Sequence, residues 1–124
     1  MKFKFDTTDN YCIIAPDYPN LNENLADNLL EEIQKRLNNE ESNFIICLDN
    51  TEDSDTEGRN KLLQLHELVY KNSGSLVFTG LNDLILKTIK KEQLHIHLNI
   101  TPTLIEAKDI INMEILEREL FNEH

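Results

Sequence analysis

Apolar residues along this chain alternate between two rhythms: short continuous runs that read as strands, and repeats at every third or fourth residue that read as helices. Residues 2–6, Lys2-Phe3-Lys4-Phe5-Asp6, alternate charge and apolarity, which predicts a strand with one solvated face. Asp9-Asn10 marks a turn. Tyr11-Cys12-Ile13-Ile14-Ala15 predicts a second strand ended by Pro16 and Pro19, so the N-terminus reads as a hairpin. Leu21, Leu25, Leu29, Ile33 and Leu37 then recur every fourth residue, with Glu23, Asp27, Glu31, Glu32, Lys35 and Arg36 on the other face. This is an amphipathic helix with Asn22 at its N-cap. Its acids lie early and its bases late, as the helix dipole favours.

Phe44-Ile45-Ile46-Cys47-Leu48 has no polar break, which predicts a central strand covered on both faces. A polar stretch over residues 49–58 follows. Leu62, Leu65 and Val69, with Leu63, His66 and Tyr70 beside them, then mark a helix that stops at Gly74, expected as a left-handed C-cap. Leu76-Val77-Phe78-Thr79 is the next strand, broken by Gly80. Asn82 caps a helix carrying Leu84, Ile85, Thr88 and Ile89, with Lys87, Lys90 and Lys91 at its end. Residues 95–100 alternate and predict a short strand. Thr103 and Glu106 form a capping box for a last helix whose apolar face carries Leu104, Ala107, Ile111, Ile115 and Leu116, running to about Leu120. The order β-β-α-β-α-β-α-β-α predicts an α/β fold: a mostly parallel sheet of four to five strands with an N-terminal hairpin and four helices. No internal repeat, linker or low-complexity segment interrupts it.

The length of 124 residues suits one domain, spanning 1–124. Against 12 basic residues stand 23 acidic ones, a net charge of −11. A phosphate backbone needs a basic footprint, so nucleic acid is excluded as a partner, and an anionic membrane surface is disfavoured for the same reason. A protein partner with a basic patch fits the charge, as does plain solubility. Cys12 and Cys47 sit in apolar runs without a Cys-x-x-Cys pair, which predicts packing thiols and a reducing compartment. No apolar run approaches the roughly 20 residues of a membrane span, and the N-terminus is too charged for a signal peptide. A cytoplasmic location is expected.

The chemistry-bearing stretch is the acidic loop, Asp49-Asn50-Thr51-Glu52-Asp53-Ser54-Asp55-Thr56-Glu57-Gly58, which is delivered by a buried strand onto a helix N-terminus. That junction is where α/β folds place their sites. Asp53, Asp55 and Glu57 imitate the first half of an EF-hand loop, but its twelfth position is Gln64, which lacks the bidentate carboxylate. Asp49 at a strand end has the place of a phosphoacceptor aspartate, without the further acids and lysine that such a site needs. It reads as a local cap. His95 and His97 are expected on one strand face without a third metal ligand. His66 falls at a packing position. His124 is terminal and lies outside the described residues. No glycine-rich phosphate loop, nucleophile elbow or His/Cys dyad occurs, so neither an enzyme nor a cofactor site is expected.

These features together resemble the STAS domain, named for sulfate transporters and anti-sigma factor antagonists. The resemblance runs from Lys2 to about Leu120. It rests on Cys47-Leu48-Asp49 as a central strand ending in Asp, on Gly58 through Tyr70 as a glycine opening a leucine-rich helix, on Gly74-Ser75-Leu76-Val77-Phe78, and on Pro102-Thr103-Leu104-Ile105-Glu106-Ala107 leading into the last helix. Antagonist members carry Asp-Ser-Ser-Gly at the head of the second helix, and its first serine is phosphorylated by a kinase that is also the anti-sigma factor. Anchored on Gly58, the matching residues are Asp55-Thr56-Glu57-Gly58, so Thr56 takes the phosphoacceptor position. Glu57 replaces the second serine, Arg59 replaces an apolar residue, and the loop of residues 49–55 is about two residues shorter than the family's.

The resemblance implies a regulatory module of the anti-sigma factor antagonist type, acting on transcription by protein binding. Its partner would be a kinase-type anti-sigma factor. Docking is expected through Asp49, Asp53, Ser54, Asp55, Thr56, Glu57, Gly58, Arg59, Asn60 and Leu63. Three readings of the loop stay open: a phospho-switch at Thr56, a docking surface whose permanent anion is Glu57, and a plain solvated loop. A phosphate there is welcomed by free helix N–H groups and repelled by the neighbouring carboxylates. The alternative function is a degenerate STAS domain used for assembly or small-ligand sensing.

Overall fold

The computed structural model describes residues 1–122. Strands β1 (Lys2–Thr7) and β2 (Cys12–Asp17) form the expected antiparallel hairpin, in register from Lys2↔Asp17 to Thr7↔Cys12. Thr8 closes its turn: the hydroxyl oxygen accepts from the N–H groups of Asn10 and Tyr11, both at 3.2 Å. The chain continues through β3 (Asn20–Leu21), α1 (Glu23–Asn38), β4 (Asn43–Cys47), β5 (Asp53–Ser54), α2 (Thr56–Lys71) and β6 (Ser75–Thr79). It ends with α3 (Asp83–Lys91), a 3-10 turn at Leu94–Ile96, β7 (Ile100–Thr101) and α4 (Leu104–Asn122). The main sheet has the order β1-β2-β4-β6-β7, and only β1–β2 is antiparallel. β3 and β5 pair in a separate parallel ribbon.

The sheet separates two apolar layers because successive strand residues point to opposite faces. On one face Cys12, Ile14, Phe44, Ile46, Leu76 and Phe78 meet Leu25, Leu29 and Ile33 of α1, Leu62, Leu65 and Val69 of α2, and Ile85 and Ile89 of α3. On the other, Ile13, Ile45, Cys47 and Val77 meet Ala107 and Ile111 of α4. The unbroken apolarity of β4 is thus explained: both of its faces are covered. Asn22 and Asn82 cap α1 and α3, accepting from Leu25 N–H at 3.0 Å and Ile85 N–H at 2.9 Å. At α4 the Thr103 hydroxyl accepts from Glu106 N–H at 3.3 Å and donates to the Glu106 carboxylate at 2.8 Å.

Several details differ from the sequence expectation. Pro16 lies inside β2, where pairing with β4 has already ended at Ile14, so no ladder donor is missed on that side. Residues 95–100 do not form a strand: Leu94 and Leu98 turn inward at a 3-10 turn, only Ile100–Thr101 pairs with β6, and His95 and His97 share no strand face. The left-handed residue after α2 is Ser73 (φ 60°), not Gly74. Gly74 is required for space, since a Cβ there would stand 1.9 Å from the Ser42 carbonyl oxygen. Leu84 and Leu116 face outward, 67% and 56% exposed, because neighbouring residues on a helix point about 100° apart and Ile85 and Ile115 take the inward direction.

Candidate functional site

The loop after β4 is held from two sides. Glu52 and Asp53 both donate their N–H groups to the Pro19 carbonyl, at 2.7 and 3.1 Å, and Asp55 N–H donates to Leu21 O at 3.1 Å. From the other side, Asn82 Nδ2 donates to the carbonyls of Glu52 (2.9 Å) and Thr51 (3.4 Å). Thr51 itself is buried, and its hydroxyl donates to Tyr18 O at 3.3 Å. The side chains of Asp49, Glu52, Asp53, Asp55 and Glu57 remain exposed. The outcome is an acidic ledge with a fixed backbone. Asp49 at its start lies over Gly80, whose φ of 79° suits glycine, and a Cβ there would come within 2.6 Å of the Asp49 carboxylate.

Helix α2 begins earlier than the sequence implied, at Thr56 within the acidic stretch. Asp55 is its N-cap and accepts from Gly58 N–H at 2.8 Å, so this carboxylate is committed to the helix. Gly58 stands in the first turn, where a Cβ would lie 2.1 Å from the Leu21 carbonyl oxygen. The helix start therefore presses directly on the β3–α1 junction. Thr56 is the first helical residue and is exposed; Glu57 and Asn60 also face solvent, while Ser54 and Leu63 are half-buried. Leu63 packs against the larger core layer.

Arg59 is 8% exposed and reaches under the ledge. Its Nε and Nη2 donate to Glu92 Oε1 and Oε2 at 2.7 and 3.1 Å, Nη1 donates to Ser54 Oγ at 2.7 Å, and Nη2 donates to Thr56 Oγ1 at 3.3 Å. The hydrogen bonds from Arg59 hold the Glu92 carboxyl below its ordinary range, and Glu92 in turn raises the guanidinium. A second cluster extends the surface onto α1. Lys61 Nζ lies 2.6 Å from Asp27 Oδ1 and 3.2 Å from Glu23 Oε1. The neighbouring Glu23 carboxyl pushes the Glu57 carboxyl up, while Glu57 and the Lys61 ammonium hold the Glu23 carboxyl down.

The other candidates are structural in their surroundings. Burial pushes the Cys47 thiol up to about 11 and also raises Cys12, which keeps both protonated and unreactive at neutral pH. His66 stacks on Tyr70 at 4.3 Å, and burial lowers its pKa. Among the described residues no three His, Cys, Asp or Glu side chains are placed to hold a metal ion. No described helix is long and apolar enough to cross a membrane.

The family model for the STAS domain matches residues 2–107. The chain belongs to the STAS domain family. Solved structures with this STAS fold include TM1081 of Thermotoga maritima, at 17% identity and TM-score 0.78, covering 89% of this chain and 94% of that one. An anti-sigma factor antagonist from Mycobacterium paratuberculosis follows at 16% identity and TM-score 0.74, covering 90% and 93%. The Bacillus antagonist SpoIIAA in its unphosphorylated form has 14% identity and TM-score 0.69, covering 90% and 96%. At such identities these likenesses describe the fold. No curated protein matches the sequence.

Set in the STAS domain, the ten site residues expected from the sequence come together at one strand–loop–helix junction, but not all on its surface. Asp49, Asp53, Asp55, Thr56, Glu57 and Asn60 are exposed, Ser54 and Leu63 are half-buried, and Gly58 and Arg59 are buried. Sequence reasoning missed Asn82 and Glu92, which reach the loop and Arg59 from α3, and Lys61 with its partners on α1. One signal for Glu92 was visible: an acid directly after Lys90-Lys91 at a helix C-terminus opposes the dipole and calls for a cationic partner.

Proposed function

We propose that this STAS domain is a regulatory protein-interaction module of the anti-sigma factor antagonist type, non-enzymatic and cytoplasmic. It docks a protein partner through residues 49–58 and the first turns of α2. The observation that carries this reading is the acidic ledge itself: its carboxylates are exposed while its backbone is tied to Pro19, Leu21 and Asn82. A surface ordered before binding loses little entropy on docking, and its charge selects a partner with a basic patch. By family resemblance the partner is a kinase-type anti-sigma factor. Thr56 would be its phosphoacceptor: the hydroxyl oxygen bonds to the γ-phosphorus of ATP, the bond to ADP breaks, and the hydroxyl proton goes to the kinase. SpoIIAA is known in unphosphorylated and phosphorylated forms, which makes the reading of Thr56 natural within the fold.

The test is capture of partners from the source cells with tagged full chain, beside a Glu52→Lys, Asp53→Lys variant. Recovery of a kinase-like ATPase by the unaltered chain and its loss with the variant are expected. Capture that ignores the charge reversal refutes the docking site. A second reading, small-ligand sensing, is favoured by an apolar groove between α3 and β7 lined by Leu81, Leu86, Leu98, Ile100 and Pro102, with Lys90 and His95 beside it. A small molecule co-purifying with the chain, and no protein, would favour it.

A further inference from the structure

Arg59 is unusual in two ways. It is a nearly buried cation in an acidic protein, and it touches the hydroxyl of Thr56. We propose that Arg59 is the receptor for a phosphoryl group carried on Thr56, and that the phosphate takes this guanidinium from Glu92. The inference rests on the reading of Thr56 as phosphoacceptor.

The geometry is already that of a receptor. Nη2 lies 3.3 Å from the Oγ1 atom that would carry the phosphorus, and Nη1 lies alongside, 2.7 Å from Ser54 Oγ. The phosphoryl oxygens sit one bond beyond the phosphorus and fall within reach of both nitrogens. A guanidinium fork matches such a pair of oxygens in bidentate fashion. The remaining charged groups at this point decide whether the phosphate is tolerated. Asp55 is engaged with Gly58 N–H, Glu57 faces solvent, and Lys61 is held by Asp27 and Glu23. Arg59 is thus the cation in contact with Thr56.

Glu92 is the weaker of the two competing anions. It carries one negative charge against about 1.5 to 2 for the phosphate. It also occupies the C-cap of α3, where the dipole disfavours an acid, whereas Thr56 opens α2, where the dipole favours an anion. Phosphate capture by Nη1 and Nη2 displaces Ser54 and removes the Nη2 bond to Glu92, which leaves Glu92 held by the Nε bond alone. The next residue, Gln93, holds a left-handed conformation (φ 62°) and leads into the 3-10 turn at Leu94–Ile96. Phosphorylation at the head of α2 therefore loosens the end of α3, without any contact between the phosphate and that segment.

The experiment uses full chain made with phosphothreonine inserted at position 56 during synthesis, so no kinase is needed. Absence of phosphate on Thr56 in cells would refute the phosphoacceptor reading alone; the measurements here judge only the receptor. Phosphorus NMR follows the second ionisation of the phosphate, ordinarily near pH 6. With Arg59 present it is expected below that value. Arg59→Leu should raise it by about one pH unit, a tenfold change in proton affinity, and Arg59→Lys should restore part of the shift. Glu92→Gln, which removes the competitor and leaves the fold's packing intact, should lower it further. Hydrogen exchange over residues 92–96 should quicken on phosphorylation in the unaltered chain and should not quicken further in Glu92→Gln. Equal ionisation in the unaltered chain and in both Arg59→Leu and Glu92→Gln overturns the receptor, and unchanged exchange over residues 92–96 overturns the displacement of Glu92.

Discussion

Replacing Gly58 with alanine tests how tightly the site is built. The added Cβ would meet three backbone atoms: the Leu21 carbonyl oxygen at 2.1 Å, its carbon at 2.5 Å and Asn22 Cα at 2.7 Å. No rotamer change relieves a clash with backbone. Ordinary contact begins at 3.4 Å, so the head of α2 and the β3–α1 junction must part by roughly 1.3 Å. That movement stretches the 3.1 Å bond from Asp55 N–H to Leu21 O beyond hydrogen-bond range. Overpacking costs about 1–3 kcal/mol and the lost hydrogen bond about 1 kcal/mol, while alanine returns about 1 kcal/mol of helix propensity over glycine. A net loss of about 1–3 kcal/mol follows, or a fall in Tm of roughly 5–10 °C for a domain of this size. Thermal unfolding by circular dichroism at neutral pH measures it, with Gln64→Ala on the exposed face of α2 as the control. A Tm at or above that of the unaltered chain would refute the close approach, and with it the claim that the ledge is rigidly seated.

Asn82→Ala removes both the cap of α3 and the donor that holds the loop carbonyls, so a loss of about 1–2 kcal/mol is expected together with faster amide exchange at residues 51–53. Asn82→Asp should keep the cap and still loosen the loop; equal exchange in both variants and the unaltered chain contradicts the two-sided hold. Glu92→Gln probes the ion pair to Arg59, whose exposed partner limits it to about 1 kcal/mol. The Glu92 carboxyl is lowered in the folded chain, so its stabilisation is present above the ordinary glutamate pKa and lost as pH falls through the lowered value. The Tm gap between the unaltered chain and Glu92→Gln should be open at pH 6 and narrow as the pH falls below the ordinary glutamate range, and a gap that widens on acidification contradicts the pairing.

Much of this architecture was legible in local patterns. Each long helix declares itself by a fourth-residue apolar repeat and a polar cap, as at Asn22 and Asn82, and the doubly covered β4 by its unbroken apolarity. What was not legible depends on contacts between distant segments. The two-residue ribbon of Asn20–Leu21 with Asp53–Ser54 has no periodicity to read, because each strand spans a single pleat repeat. Residues 95–100 alternate as a strand would, yet the inward pull of Leu94 and Leu98 winds them into a turn. Gly74 announced a left-handed cap, but the close passage of Ser42 decides that position. At the site the location was legible and the arrangement was not. Arg59 follows the glycine as if it belonged to the surface, and only the packing of α3 against the loop shows it buried and tied to Glu92.

The claim that residues 49–58 and the first turns of α2 dock a protein partner is tested most directly by hydrogen exchange of the full chain, free and bound to whichever protein the capture experiment recovers. Slowed exchange over residues 49–63, with α4 unchanged, is the predicted result. Protection confined to α4 or to the β1–β2 hairpin, with residues 49–63 exchanging as in the free chain, would contradict it.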